Sequence, residues 1–123
     1  MIVAGVGFSS SASAAEIVAL VRRAEATAGC KAQTLAAPEF KGEAAMLHEA
    51  ALLLDLPLLL LDSAALAAAQ PRCVTYSPVA AQKLGLGSVA EACALAAAGP
   101  ESHLLVARLT DQKTTCALAG DLP

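Results

Sequence analysis

Apolar runs and helical apolar stripes alternate along the 123-residue chain, and this alternation predicts its secondary structure. The first unit is a buried strand at 2–4, a glycine turn at 5–8 and a helix at 14–28. Ser13 and Glu16 have the spacing of a capping box at the start of that helix. A strand, a glycine turn and a capped helix in this order are expected to place free backbone N–H groups at one sheet edge, where they can hold an anion.

The rest of the chain continues this alternation. It predicts an extended segment at 73–76, strands at 31–36, 58–61, 103–109 and 114–119, and helices at 43–54, 63–69, 77–84 and 88–98. The four leucines at 58–61 are typical of a strand covered on both faces. Ser88 and Glu91 repeat the capping-box spacing. The pattern therefore predicts an α/β fold over residues 1–123, a single three-layer domain with a mostly parallel sheet, helices on both faces and a C-terminal antiparallel hairpin at one edge.

Composition narrows the class of protein. Hydrophobic residues make up 57% of the chain, yet the longest apolar stretch, 50–69, is interrupted by Asp55, Pro57 and Asp62. A membrane-spanning helix needs about 20 apolar residues, and the N-terminus lacks the basic region of a signal peptide. The net charge is −3, the basic residues are scattered, and only three aromatic residues occur. We therefore expect a soluble, cytoplasmic protein with no membrane or nucleic-acid partner.

The motifs that usually carry a metal, a cofactor or catalysis are missing. The cysteines at 30, 73, 93 and 116 form no CxxC pair, so we expect no metal and regard them as small packed residues in a reducing compartment. A dinucleotide fingerprint would need a glycine where Ser10 stands, and no P-loop occurs, so no cofactor is predicted. No nucleophile elbow exists and neither histidine has a local acidic partner, so no catalytic residue is assigned.

Two polar loops remain as candidate binding segments. The serines at 9–11 are equally compatible with two roles, as small polar residues that fill a loop before a helix and as part of a ligand site. Lys41 lies beside Gly42, where a backbone can approach a ligand closely, although composition alone slightly favours a solvated surface lysine. Glu16 and Glu91 both have a structural explanation as capping residues.

Two stretches resemble a known family. Residues 3–8, VAGVGF, followed by a capped helix, resemble the opening of the family that comprises the stand-alone cobalamin-biosynthesis protein CobE and the C-terminal domain of the cobalt-precorrin hydrolase CbiG. Residues 85–95, GLGSVAEACAL, resemble its most recognisable segment. Further matches occur in order at 35–36, Lys41, 56–58, Ser77, Val79, 104–108 and 115–119, so the resemblance covers nearly the whole chain. Relatives often carry Arg after the residue that matches Phe8, where this chain has Ser9 and Ser10.

The resemblance implies a role in corrin-ring construction, where ligands are large apolar macrocycles rimmed with acetate and propionate carboxylates. Such a ligand suits a cleft with apolar walls, helix N-termini, hydroxyls and lysines, and the resemblance places the matching loops at one end of the sheet. The candidate ligand-binding residues are Gly5, Gly7, Phe8, Ser9, Ser10, Ser11, Lys41, Tyr76, Ser77, Gly87, Ser88 and Glu91.

Three functions remain open at this point. The first is binding or handling of a corrin or precorrin intermediate without chemistry. The second is an enzyme or enzyme component, a C–C bond or lactone hydrolase that assists precorrin lactone opening and the loss of a two-carbon fragment. The third is a non-catalytic scaffold that docks to other cobalamin-pathway enzymes. The absence of a nucleophile–base pair in the sequence favours the first.

Overall fold

The computed structural model describes residues 1–75, 88–111 and 113–121 of the chain. Five strands and four α-helices lie in this part, with short 3₁₀ turns at Glu39–Lys41 and Gln70–Arg72. In chain order the elements are β1 (Ile2–Phe8), α1 (Ala14–Ala28), β2 (Thr34–Pro38), α2 (Ala45–Leu54), β3 (Leu58–Leu61), α3 (Ser63–Ala69), α4 (Val89–Ala98), β4 (His103–Thr110) and β5 (Thr114–Gly120). The predicted helix at 77–84 and the end of the extended segment at 73–76 lie outside the described residues.

The strands form one mixed sheet in the order β3-β2-β1-β5-β4. β1 pairs in parallel with β2, and β2 pairs in parallel with β3. β5 is antiparallel to both β1 and β4, so the C-terminal hairpin occupies one edge of the sheet. This confirms the predicted α/β fold, and among the described strands β5 of the predicted hairpin runs opposite to the other four.

Two hydrophobic clusters cover the two faces of the sheet and make it the middle of three layers. The first cluster packs α1 and α2 against one face, and the second packs α3 and α4 against the other. Neighbouring strand residues point to opposite faces, so Ala4 and Val6 of β1 enter the first cluster while Val3 enters the second. Among the described residues, no helix is both long and apolar enough to cross a bilayer.

Helix starts follow the local sequence closely. The Glu16 amide donates to Ser13 Oγ at 3.2 Å and the Ser13 amide donates to Glu16 Oε1 at 2.9 Å, which confirms the first capping box. The Ala65 amide donates to Asp62 Oδ1 at 2.8 Å and caps α3 in the same way. These contacts span three residues, so neither depends on the tertiary fold.

The predicted glycine turn at 5–8 is wrong, because β1 continues through it to Phe8. Gly5 is paired on both sides, with Ala36 of β2 and Ala117 of β5. A Cβ at Gly5 would collide with the carbonyl oxygen of Ala90 and would lie 2.5 Å from the Ala94 amide nitrogen. The glycine is therefore needed for close packing of α4 on β1 and not for a turn.

Two strand predictions also need correction. β2 spans Thr34–Pro38, not 31–36, because its pairing with β1 starts at Val3↔Thr34 and its pairing with β3 continues to Pro38↔Leu61. β3 has the predicted bounds but is not covered on both faces. It is the end strand of the described sheet, and Leu59 and Leu60 are 41% and 37% exposed.

Phe8 and the segments that follow β1 and β2 lie near one edge of this sheet, which we name the carboxyl edge. The parallel strands β1, β2 and β3 end there at Phe8, Pro38 and Leu61. The β4–β5 hairpin turns at the same edge, because Phe8 pairs with Thr114 at the start of β5. The segments that follow β1 and β2 are therefore expected to come close to each other.

Candidate functional site at the carboxyl edge

A cation lies over the end of β1. Lys41 Nζ is 5.4 Å from the centroid of the Phe8 ring, a distance at which a ring face attracts an ammonium group. The 3₁₀ turn after β2 places this lysine, and the Gly42 amide closes the turn by donating to the Glu39 carbonyl at 2.9 Å. Two candidate residues that are far apart in the chain are thus brought together.

The serine loop, residues 9–11, follows β1 directly and is exposed. Its backbone is held at both ends, because the Ser9 amide donates to the Lys113 carbonyl at 3.0 Å and the Ala12 amide donates to the Ser9 carbonyl at 3.1 Å. The hydroxyls of Ser9 and Ser11 are 3.1 Å apart. The amides of Ser9 and Ala12 are therefore engaged, and the loop offers its hydroxyl groups to solvent.

The first turn of α4 reaches the same edge on the opposite face of the sheet. Val89 Cγ1 lies 3.7 Å from the position that a Cβ on Gly7 would take. Ser88 is fully buried, and its hydroxyl accepts from the Glu91 amide at 3.3 Å, so it caps the helix as predicted.

The reciprocal half of the second capping box is wrong, because the Glu91 carboxylate has other partners. Its Oε1 accepts from the amides of Val74 and Thr75, each at 2.9 Å. Its Oε2 accepts from the Thr75 hydroxyl at 2.6 Å and from the Arg108 amide at 2.9 Å. Glu91 thus joins three segments, namely α4, the chain after α3, and β4.

These four hydrogen bonds keep Glu91 ionised although it is fully buried. Burial alone would raise the pKa of the Glu91 carboxyl. The Thr75 hydroxyl and the amides of Arg108, Thr75 and Val74 act in the opposite direction, and together they hold this pKa below its usual value. The carboxylate is therefore a fixed negative charge beneath the carboxyl edge.

Sequence reasoning missed Arg108, which lies on β4 beside this carboxylate. The β4–β5 register shifts between Val106 and Leu109, and the Arg108 amide points to Glu91 instead of to β5. Within the described part of the chain, Arg108 Nε is buried and has no hydrogen-bond partner. The signal that could have found it is a charged residue inside the otherwise apolar strand LLVARLT.

The other candidate residues fall into three groups. Gly5 is buried under α4, and Gly7 lies under Thr115, whose hydroxyl donates to the Gly7 carbonyl at 3.4 Å. Tyr76, Ser77 and Gly87 lie outside the described residues. Phe8, the serine loop and Lys41 form the part of the edge that the structure brings together near the surface.

The chemistry of this edge suits recognition of anions. Exposed hydroxyls can donate to a carboxylate, and the Lys41 ammonium attracts it. Cys73, whose thiol donates to the Ser88 carbonyl at 3.9 Å, has its pKa raised to about 11 by burial and by the Glu91 charge, against the opposing effect of Arg72, so it is a neutral thiol near pH 7. In the ranges that the structure describes, no group of three or more His, Cys, Asp or Glu side chains could hold a metal ion.

Comparison with known proteins confirms the resemblance. Residues 2–119 match the family described as cobalamin synthesis G C-terminus. The chain is 33% identical over 122 residues to the protein CobE of a Sinorhizobium species, an alignment that covers 97% of this chain and 79% of that protein.

Two crystal structures are similar along almost the whole chain. One is that of CobE, described as a protein from the cobalamin (vitamin B12) biosynthetic pathway, with a TM-score of 0.90, 34% identity, and coverage of 97% of this chain and 89% of that one. The other is the cobalamin biosynthesis protein chiG from Agrobacterium tumefaciens, with a TM-score of 0.80, 36% identity and full coverage of both chains. The chain therefore belongs to the cobalamin synthesis G C-terminus family and is a protein of the cobalamin biosynthesis pathway.

Proposed function

We propose that the protein binds a corrin or precorrin intermediate at the carboxyl edge and handles it without chemistry of its own. The observation that carries the proposal is the contact between Lys41 and Phe8, which sets a cation at the residue that immediately precedes the exposed serine loop. The acetate and propionate carboxylates of such a macrocycle would accept from these donors, because ionised acceptors form the stronger hydrogen bonds.

The topology supports a ligand at this place. From β1 the chain moves through β2 to β3 with α1 and α2 on one face, and it then crosses to β4 and β5 with α3 and α4 on the other. The change of direction occurs at β1, whose end carries Phe8 and the serine loop. Open α/β sheets bind ligands outside the carboxyl ends of their strands at such a point.

The candidate residues would divide into two roles. Phe8, Lys41 and the serine loop would contact the macrocycle, with Gly7 close beneath it. Gly5, Ser88 and Glu91 are buried and would not contact the macrocycle. They would position α4 and the segment that leads to Tyr76 and Ser77. The proposal also includes direct contacts of Tyr76, Ser77 and Gly87 with the macrocycle.

A visible-absorbance titration tests the proposal. The ligand is dicyanocobyrinic acid, whose acetate and propionate groups are free, and the comparison is its heptamethyl ester, which has the same ring without the charges. We expect saturable binding of the acid at fixed ionic strength and much weaker binding of the ester. Absence of binding of the acid would contradict the proposal.

Variants locate the site. Lys41→Gln should weaken binding about fivefold, which corresponds to about 1 kcal/mol for a partly exposed ion pair. Ser10→Asp should also weaken binding, by charge repulsion. The matched control is Lys31→Gln, because Lys31 is exposed just before β2, near the opposite edge of the sheet. Equal affinities for Lys41→Gln, Ser10→Asp and the control would remove these loops from the site.

Product analysis separates binding from catalysis. The protein alone should leave a lactone-bearing precorrin unchanged, and opening of the lactone with release of a two-carbon fragment would overturn the non-catalytic part of the proposal. The proposal includes a cytoplasmic location, where the four free thiols would stay reduced. Cell fractionation checks that part.

A further inference from the structure

The Arg108 side chain holds a hydrogen-bond donor that no described residue satisfies. Its Nε atom is buried and, in the described ranges, lacks a hydrogen-bond partner. The ion pairs between described residues join the N-terminus to Asp121 and Arg22 to Glu25, so neither involves Arg108. A guanidinium group cannot lose its proton in a protein, and a buried unpartnered donor is costly. An anionic ligand from outside the chain could supply the acceptor that this arginine donor lacks.

The nearby Glu91 carboxylate cannot supply that partner. A carboxylate has about four acceptor positions. In Glu91 all four are used, by the amides of Val74, Thr75 and Arg108 and by the Thr75 hydroxyl. Glu91 therefore holds the backbone of Arg108 in place and has no acceptor position left for the Arg108 side chain.

Register places Arg108 at the carboxyl edge. The next residue, Leu109, pairs with Cys116, which pairs with Val6 near the end of β1. β4 lies two strand spacings from β1, or about 10 Å. Lys41 follows β2, on the other side of β1. In the strand order, Arg108 and Lys41 thus lie on opposite sides of β1.

We propose that Arg108 forms a second carboxylate-binding subsite, which holds an acetate or propionate group on the side of the macrocycle away from Lys41. The identity of the macrocycle rests on the proposed function, whereas the carboxylate chemistry rests on Arg108 itself. A guanidinium group donates two parallel hydrogen bonds to one carboxylate, so this subsite would orient the ring as well as attract it.

The test compares Arg108→Gln, which removes the charge, with Arg108→Lys, which keeps it but loses the forked geometry. The hydrogen bond to Glu91 comes from the backbone amide of Arg108, so both variants keep it and should fold, as judged by circular dichroism and the thermal midpoint. We expect binding of dicyanocobyrinic acid to weaken about tenfold in Arg108→Gln and less in Arg108→Lys. The matched control is Arg23→Gln, an exposed arginine on α1, whose affinity should equal that of the native protein.

A second measurement separates this subsite from the proposed function. The Nε–H signal of Arg108 is followed by NMR during a titration with tricarballylate, a small tricarboxylate, and is assigned by its loss in Arg108→Lys. If the native protein binds the macrocycle and Arg108→Gln binds it equally well, the subsite is wrong and the proposed function stands. If no macrocycle binds but the Arg108 signal shifts saturably with tricarballylate, the subsite stands and the proposed function fails. No shift and no effect on macrocycle binding would overturn the subsite.

Discussion

At the scale of single residues, the buried carboxylate of Glu91 has the greatest consequence. A fully buried charge is tolerated only when its hydrogen-bonding capacity is filled, and the four donors to Glu91 meet that condition. The same bonds hold the chain after α3 against β4. Glu91 therefore stabilises the carboxyl edge through its ionised form.

This arrangement predicts how stability depends on pH. The pKa of Glu91 is lower in the folded protein than its ordinary value of 4.5, so its contribution is complete above that value and is lost as pH falls through the folded pKa. Glu91→Gln should lower the free energy of unfolding by about 2 kcal/mol at pH 7, and the difference from the native protein should shrink below pH 4.5. Urea denaturation across this pH range measures it.

The Cys73 thiol near Glu91 does not titrate in this pH range, because burial and the Glu91 charge raise its pKa to about 11. The control is Glu101→Gln at an exposed position, which should differ little from the native protein at any pH. A Glu91→Gln deficit that stays constant down to pH 3 would contradict the ionised state.

At the scale of elements, α4 is placed by contacts at three points. Gly5 lets its backbone lie directly on β1, Glu91 holds its first turn, and Arg72 holds its last turn. The Arg72 guanidinium donates to the carbonyls of Leu95 and Gly99 at 3.3 and 3.2 Å, and it adds a positive charge to a helix end whose carbonyls also accept from Gly99 and Ser102. The position of this Ala-rich helix is therefore specified mainly by backbone contacts and charges.

Gly5→Ala tests the packing of α4 on β1. The added methyl group would meet the backbone of Ala90 and Ala94, which cannot move without shifting the helix. We expect a loss of about 3 kcal/mol in the free energy of unfolding, measured by chemical denaturation. Gly42→Ala is the comparison and should cost less, because its new methyl group would meet a Leu60 side-chain methyl at 2.7 Å that can rotate away and the Glu39 carbonyl oxygen at 3.0 Å. Equal losses in the two variants would refute the close-packing role of Gly5.

At the scale of the whole molecule, one sheet separates two hydrophobic clusters and connects them. β1 lies at the centre of the sheet order and contributes residues to both clusters. Neither cluster has a sheet of its own, so loss of one exposes a face of the sheet on which the other packs. We therefore expect the molecule to unfold as one cooperative unit.

Leu47→Ala and Leu95→Ala test this cooperativity, one in each cluster. Both side chains are essentially fully buried, and each truncation should cost about 2–5 kcal/mol. Scanning calorimetry should show a single transition that moves to lower temperature in both variants. Leu52→Ala, at a position 82% exposed, should leave the transition nearly unchanged. Two separated transitions in either core variant would show that the faces unfold independently.

The sequence by itself determined the features that depend on neighbours a few residues apart. The bounds of α1 and α3, the capping contacts of Ser13 and Asp62, and the bounds of β3 all follow from helical spacing, side chains three residues from an amide, and a short apolar run. The α/β class followed for the same reason, since it needs only the order of the elements. Lys41 and the serine loop were candidates from residue type, and the structure brings them to one edge.

The tertiary structure alone decided the features that depend on residues far apart in the chain. Gly5 resembles a turn residue until α4 is seen to occupy the space of its missing side chain. Glu91 has the spacing of a cap, but its carboxylate is bound by Thr75 and Arg108, which the fold brings to it. The exposure of Leu59 follows from the place of β3 in the sheet order. Spacing along the chain predicts local hydrogen bonds, whereas burial and charge pairing are set by which surfaces pack against each other.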